Sequence, residues 1–167
     1  MTQHSDAIGA TTAHGSTHDH GACIADALEF AEDLCRRIEA RLTPLRRRVL
    51  ELVWASHKPA GAYQLLESLR SEGLGSAPPT VYRALEFLLE HRLIHRIESL
   101  NAYVGCSHLG DVHRGIFLIC KRCGNAQELG DGRLGSDLLD MARARGFDVT
   151  DVTLEIAGIC APCRQAA

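Results

Sequence analysis

The chain has 167 residues, 46% of them apolar and 23% charged, with a formal net charge of −3 at neutral pH. That length suits one ordinary domain or two small ones, and the composition is globular rather than fibrous. No run approaches the roughly 18 consecutive apolar residues of a membrane helix, and Met1 to Ala22 lacks the basic and apolar stretches of a secretory signal. A cytoplasmic address with no membrane partner is expected, and there the seven cysteines argue for metal ligation or free thiols rather than disulfides.

The net charge is an average over unlike segments. Residues 1–35 hold six acids and no Lys or Arg, whereas residues 36–98 hold eleven basic against seven acidic side chains. Residues 99–167 are near balance, so only the middle third is basic.

In chain order, residues 1–23 carry Gly, Ser, Thr and Ala with His4, His14, His18 and His20, and are predicted to be a disordered tail. From Ile24 the pattern becomes helical, with Ile24, Leu28, Ala31, Leu34, Cys35, Ile38 and Leu42 on one stripe. Thr43-Pro44 offers an N-cap and a proline at the first helical position of a second helix. Lys58-Pro59-Ala60-Gly61 breaks that helix, and a third is expected from about Ala62 to Glu72. A fourth should run from near Thr80 to about His91, burying Val81, Leu85, Leu88 and Leu89. Two strand-like runs follow, Leu93 to Glu98 and Ala102 to Cys106, joined by a turn at Ser99-Leu100-Asn101. Three helices and a hairpin are the order of a winged helix-turn-helix, assigned to residues 24–100, with 101–106 as a hinge.

Residues 107–167 alternate differently. Gly115 to Cys120 is predicted to be a buried strand, Asn125 to Leu129 its return, Ser136 to Arg145 a helix closed by Gly146, and Phe147 to Ile159 β-rich. The fold class is α+β: an N-terminal winged helix followed by an α/β unit too small to be stable without a staple.

The staple is legible. Cys120-Lys-Arg-Cys123 and Cys160-Ala-Pro-Cys163 are two C-x₂-C knuckles, a spacing that brings four thiolates to one zinc ion in a closed structural site. A second set, His95, Cys106, His108, His113 and Glu128, is spread around the hinge. A metal held there would tie the winged helix to the C-terminal unit, and mixed nitrogen, sulfur and oxygen donors suit Zn2+ better than Fe2+ or Mn2+. For DNA, the outward face of the fourth helix carries Tyr82 and Arg83 after Thr80 at its start, the third presents Tyr63 and Arg70, and Arg46-Arg47-Arg48 opens the second.

These residues resemble a known family. Leu42-Thr-Pro-Leu-Arg46, Pro79-Thr-Val-Tyr-Arg-Ala-Leu85 and the paired knuckles look like the ferric uptake regulator family of bacterial metalloregulators, over roughly residues 26–165. His95 with Asn101-Ala-Tyr-Val-Gly-Cys106 is similar to its zinc-sensing branch. The resemblance implies a homodimer through residues 107–167 that binds AT-rich palindromic operators when metal is present. It implies a structural zinc on Cys120, Cys123, Cys160 and Cys163, a sensor zinc on His95, Cys106, His113 and Glu128, and DNA contacts at Tyr63 and Arg83. The expected function is a zinc-responsive repressor of zinc-uptake genes with two zinc sites per chain, no small-molecule substrate and no enzymatic activity. The alternatives are an iron- or peroxide-sensing relative and, more distantly, a small zinc hydrolase. The region Cys106-Ser-His-Leu-Gly-Asp-Val-His113 is thin in His and Asp for the iron type.

Overall fold

The computed structural model describes residues 20–56, 58–74, 77–110, 115–130, 132–150 and 152–166. The predicted tail to residue 19, with His4, His14 and His18, lies outside the described residues, as does His113.

Helix α1 (His20–Arg37) starts four residues before the predicted Ile24. It stops before Leu42 because Glu39 takes a left-handed φ of 55° and the Ala40 N–H closes on the Cys35 carbonyl at 2.9 Å. Cys35 is buried among the helices, the core role its apolar stripe suggests. Helix α2 (Pro44–Trp54) begins as the sequence predicts: Thr43 Oγ1 accepts the Arg46 N–H, and Pro44 fills the first turn. Helix α3 (Ala62–Ser71) buries Leu65, Leu66 and Leu69. Helix α4 (Pro78–Glu90) buries Val81, Ala84, Leu85, Phe87 and Leu88. It starts two residues earlier than read, since both prolines fit a first turn that needs no N–H donors.

The hairpin is β2 (Ile94–Ile97) and β3 (Ala102–Gly105), joined by a 3₁₀ turn at Glu98–Leu100 and by Asn101 at φ 46°. The breaker at Lys58-Pro59 hides a strand the sequence reading missed: β1 (Ala60–Gly61) pairs antiparallel with β3, giving the order β1-β3-β2. Strand alternation divides the hairpin between two cores. Ile94 and Tyr103 join the helical core, while Ile97 and Val104 pack with Phe117, Ile119 and Ala126 of the second unit.

Gly105 sits against Trp54, where an added Cβ would lie 2.4 Å from a ring carbon. Gly105→Ala is expected to destabilise the protein by about 1–3 kcal/mol through overpacking, seen as a lower urea midpoint at unchanged m-value.

The second unit is the sheet β5-β4-β6. Central β4 (Gly115–Cys120), with the predicted bounds, pairs antiparallel with β5 (Ala126–Leu129) and parallel with β6 (Thr153–Gly158). Helix α5 (Gly132–Arg143) is the crossover, beginning before the predicted Ser136 and ending before Arg145. The β-rich prediction from Phe147 is corrected: the strand spans only Thr153–Gly158, one partner for each residue of β4. A short α6 (Ala161–Gln165), not predicted, carries the last knuckle.

Candidate functional site

The four-cysteine cluster is assembled by three local devices. Cys120 ends β4, Gly124 at φ 75° turns the chain tightly after Cys123, and Cys160 and Cys163 bracket the first turn of α6. The four Sγ atoms lie within 4.8 Å of one another. Cys123 Sγ and Cys160 Sγ are 3.8 Å apart, matching the edge, about 3.8 Å, of a tetrahedron built on 2.3 Å zinc–sulfur bonds. The Cys160 N–H donates to Cys120 Sγ at 3.4 Å. That amide, with those of Cys123 and Arg122, lowers the Cys120 thiol to about 5. Cys163 is pushed up to about 12 by hydrogen bonding with Cys160, by burial and by the other sulfurs of the cluster. Four sulfur donors gathered within 4.8 Å of one another are chemically suited to a soft divalent cation.

The second cluster forms where the hairpin meets the C-terminal sheet. His95 shares the hairpin face of Ile97 and Val104, and its ring packs edge-on to Phe117 at 5.3 Å. Cys106, fully buried, follows β3, and Glu128 stands on β5 opposite Phe117. One donor atom from each of His95, Cys106 and Glu128 falls within 4.8 Å of the others. His95 Nε2 is 2.9 Å from Glu128 Oε1, and Glu128 Oε2 accepts the Ser107 N–H at 2.8 Å and the Ser107 hydroxyl at 2.7 Å. Burial opposes the charge on Glu128, but His95 and Ser107 outweigh it and hold the carboxyl down at about 2. His108 Nδ1 stands 3.7 Å from Glu128 Oε2, beside the cluster and outside hydrogen-bond reach. Three of the four predicted hinge ligands are therefore brought together. Ser107 escaped the sequence reading because a serine beside a ligand has no spacing signal.

On the outer face, Tyr63 is 68% and Tyr82 50% exposed, and Thr80 and Arg83 are exposed on the same helix as Tyr82. The arginine run expected to face DNA is also engaged within the winged helix. The Arg46 guanidinium lies 3.6 Å over the Phe87 ring and donates to the Arg41 carbonyl at 2.6 Å. Arg47 pairs with Glu32 and Glu51, and Arg48 with Glu51 and Glu72 at 2.7 Å each.

Residues 37–157 match the sequence profile described as the Ferric uptake regulator family. The chain belongs to the ferric uptake regulator family. It is 39% identical over 140 residues to the zinc uptake regulation protein of Escherichia coli (strain K12), across 83% of this chain and 81% of that protein. A solved zinc uptake regulator complexed with zinc and DNA superposes with a TM-score of 0.80 at 34% identity, covering 90% of this chain and 98% of that one. The holo structure of XcZur superposes at 0.77 with 43% identity, covering 85% and 99% of the two chains. Its apo structure, at the same 43% identity and covering 84% and 97%, gives 0.50. At the same identity and nearly the same coverage, this chain is more similar in shape to the holo than to the apo structure. No helix among the described residues is long and apolar enough to cross a membrane.

Proposed function

We infer that the chain is a zinc-responsive transcriptional repressor, a homodimer that binds palindromic, AT-rich operator DNA of zinc-uptake genes from the cytoplasm. The observation that carries this reading is the hinge cluster: His95 of the hairpin and Glu128 of the second sheet meet at 2.9 Å beside Cys106, so one metal site spans both units. Cys120, Cys123, Cys160 and Cys163 are assigned to a structural zinc, and His95, Cys106 and Glu128, with His113 as fourth ligand, to a sensor zinc. Bound zinc supplies coordinate bonds that link the hairpin to the sheet. The chain's own residues prepare that link: Ser107 occupies Oε2 of Glu128 and leaves Oε1 facing His95, while Phe117 seats the hairpin's apolar face.

Moving a two-state orientation from mostly off to mostly on needs about 5.5 kcal/mol of differential binding, and zinc coordination is of sufficient size to supply it. Thr80, Tyr82 and Arg83 on α4, with Tyr63 on α3, form the DNA face. Arg46, held between Phe87 and the Arg41 carbonyl, is assigned to bracing α2 against α4 rather than to DNA. The outward pair Leu118 and Ile156, exposed on the sheet face opposite Phe117, suits the dimer contact. The Cys106 sulfur and the likeness to zinc regulators favour zinc over iron, and family membership sets the hydrolase reading aside.

The test is fluorescence anisotropy on an operator selected from random duplexes, titrated with buffered free Zn2+ and, anaerobically, Fe2+. Zinc is expected to drive binding, and Arg83→Ala to weaken it by about 1–3 kcal/mol with a shallower salt slope. Activation by Fe2+ at lower free metal than Zn2+ would overturn the zinc reading, and unchanged affinity and slope in Arg83→Ala would remove Arg83 from the interface.

A further inference from the structure

The sheet row that carries Glu128 carries a second carboxylate. Phe117 of β4 is paired with Glu128 of β5 on one side and with Glu155 of β6 on the other. Residues directly opposite one another project from the same face of a sheet, so Glu128, Phe117 and Glu155 form one line facing the hairpin. The line spans two interstrand spacings, about 10 Å. Its middle, Phe117, is buried with Ile97 and Val104. At one end Glu128 meets His95 and Ser107. At the other, Glu155 Oε1 accepts the Glu98 N–H at 2.6 Å and Oε2 accepts the Ser99 N–H at 3.2 Å.

Glu98 and Ser99 open the 3₁₀ turn at the hairpin tip, where the first amides have no partner within their own turn. A carboxylate that takes two such donors at once fixes both distance and direction, and charged acceptors make the stronger bonds. Burial opposes the charge of Glu155, yet the donors on Ser99 and Glu98 hold its carboxyl below the usual range.

We propose that Glu155 is a positioning residue for DNA binding: a clamp on the hairpin tip that, with the sensor cluster at the far end of the same sheet row, fixes the rotation of the winged helix on the dimerisation sheet. Contact at Glu128, with the hairpin's apolar side chains seated on Phe117, leaves the hairpin tip unanchored. A second attachment about 10 Å away removes that freedom, so that the two ends of the row together fix one orientation. The proposal rests on the zinc-responsive reading above for its DNA readout, but not for its structural readout.

The experiment compares full-length, zinc-loaded Glu155→Ala and Glu155→Gln with the unsubstituted protein. Both variants are expected to keep two zinc ions per chain and the dimer. Glu155→Ala is expected to bind the selected operator at least tenfold more weakly and to need more free zinc for half-saturation. The slope of affinity against salt should not change, because Glu155 touches no phosphate. Glu155→Gln keeps an acceptor oxygen and should recover part of the loss. Hydrogen exchange over residues 94–105 should quicken in zinc-loaded Glu155→Ala, while the amides of buried Val49, Leu50 and Val53 stay protected. Unsubstituted affinity, zinc midpoint and hairpin exchange in Glu155→Ala would overturn the proposal, as would loss of zinc or of the dimer in both variants. If the unsubstituted protein showed no zinc-dependent DNA binding, the functional reading would fall, and hairpin exchange would still decide for or against the clamp.

Discussion

Cys160→Ser should yield a protein with one zinc ion per chain or fewer, a monomeric sedimentation profile and no measurable operator binding. The reason is the poverty of the second core. Among the described residues the C-terminal unit's own buried hydrophobics are Ile116, Phe117, Ile119, Cys120 and Ala126, joined by Ile97 and Val104 of the hairpin, whereas the helical unit buries more than three times those five. Structural zinc sites of this kind contribute roughly 10–16 kcal/mol of apparent binding energy, as much as the whole net stability of an ordinary domain, about 5–15 kcal/mol. Removing one ligand also leaves three crowded sulfurs that no closed metal site neutralises. Helices α1 to α4 pack on a core of their own, so most of the far-ultraviolet circular dichroism should survive while the dimer does not. A Cys160→Ser protein that stayed dimeric and melted like the parent would show that the sheet stands without its staple.

Cys106→Ser should separate the two metals. Serine preserves the shape of a fully buried side chain but cannot supply a thiolate. One zinc per chain, the dimer and the melting temperature should persist, while operator affinity at saturating zinc falls to that of the zinc-free protein, roughly a hundredfold or more. Linkage requires the converse as well: operator DNA should tighten sensor zinc binding in the parent by that same factor, and should not in the variant. Anisotropy against buffered free zinc, with zinc counted per chain, checks both statements. Zinc-stimulated binding that survived in Cys106→Ser would move the sensor elsewhere in the molecule.

What could be read from the sequence was local chemistry with a fixed period. Thr43-Pro44 announces a helix start wherever it stands, Gly115 to Cys120 is a buried strand bounded by a glycine and a knuckle, and C-x₂-C repeated is a zinc spacing. What could not be read depends on partners far along the chain. Strand β1 has two residues, and only β3, some forty residues later, makes it a strand. The extent of β6 is set by the length of β4, which left Phe147 to Val149 outside the sheet despite their β-prone composition. The arginines at 46–48 read as a solvated, DNA-facing run because Glu32, Glu72 and the Phe87 ring come from other helices. At the hinge, His95, Cys106 and Glu128 were nameable by residue type, whereas Ser107 and Glu155 needed the strand register to show what they hold.

The division of the hairpin between two cores constrains how such a regulator can change. Side chains alternate along β2, so Ile94 fills the helical core and its neighbour His95 faces the metal cluster. Shifting the register by a single residue would exchange these duties at every position. Selectivity for the ion and placement of the reading helix are therefore written on the same four-residue strand. An insertion or deletion in β2 would disturb the helical core and the proposed sensor cluster together.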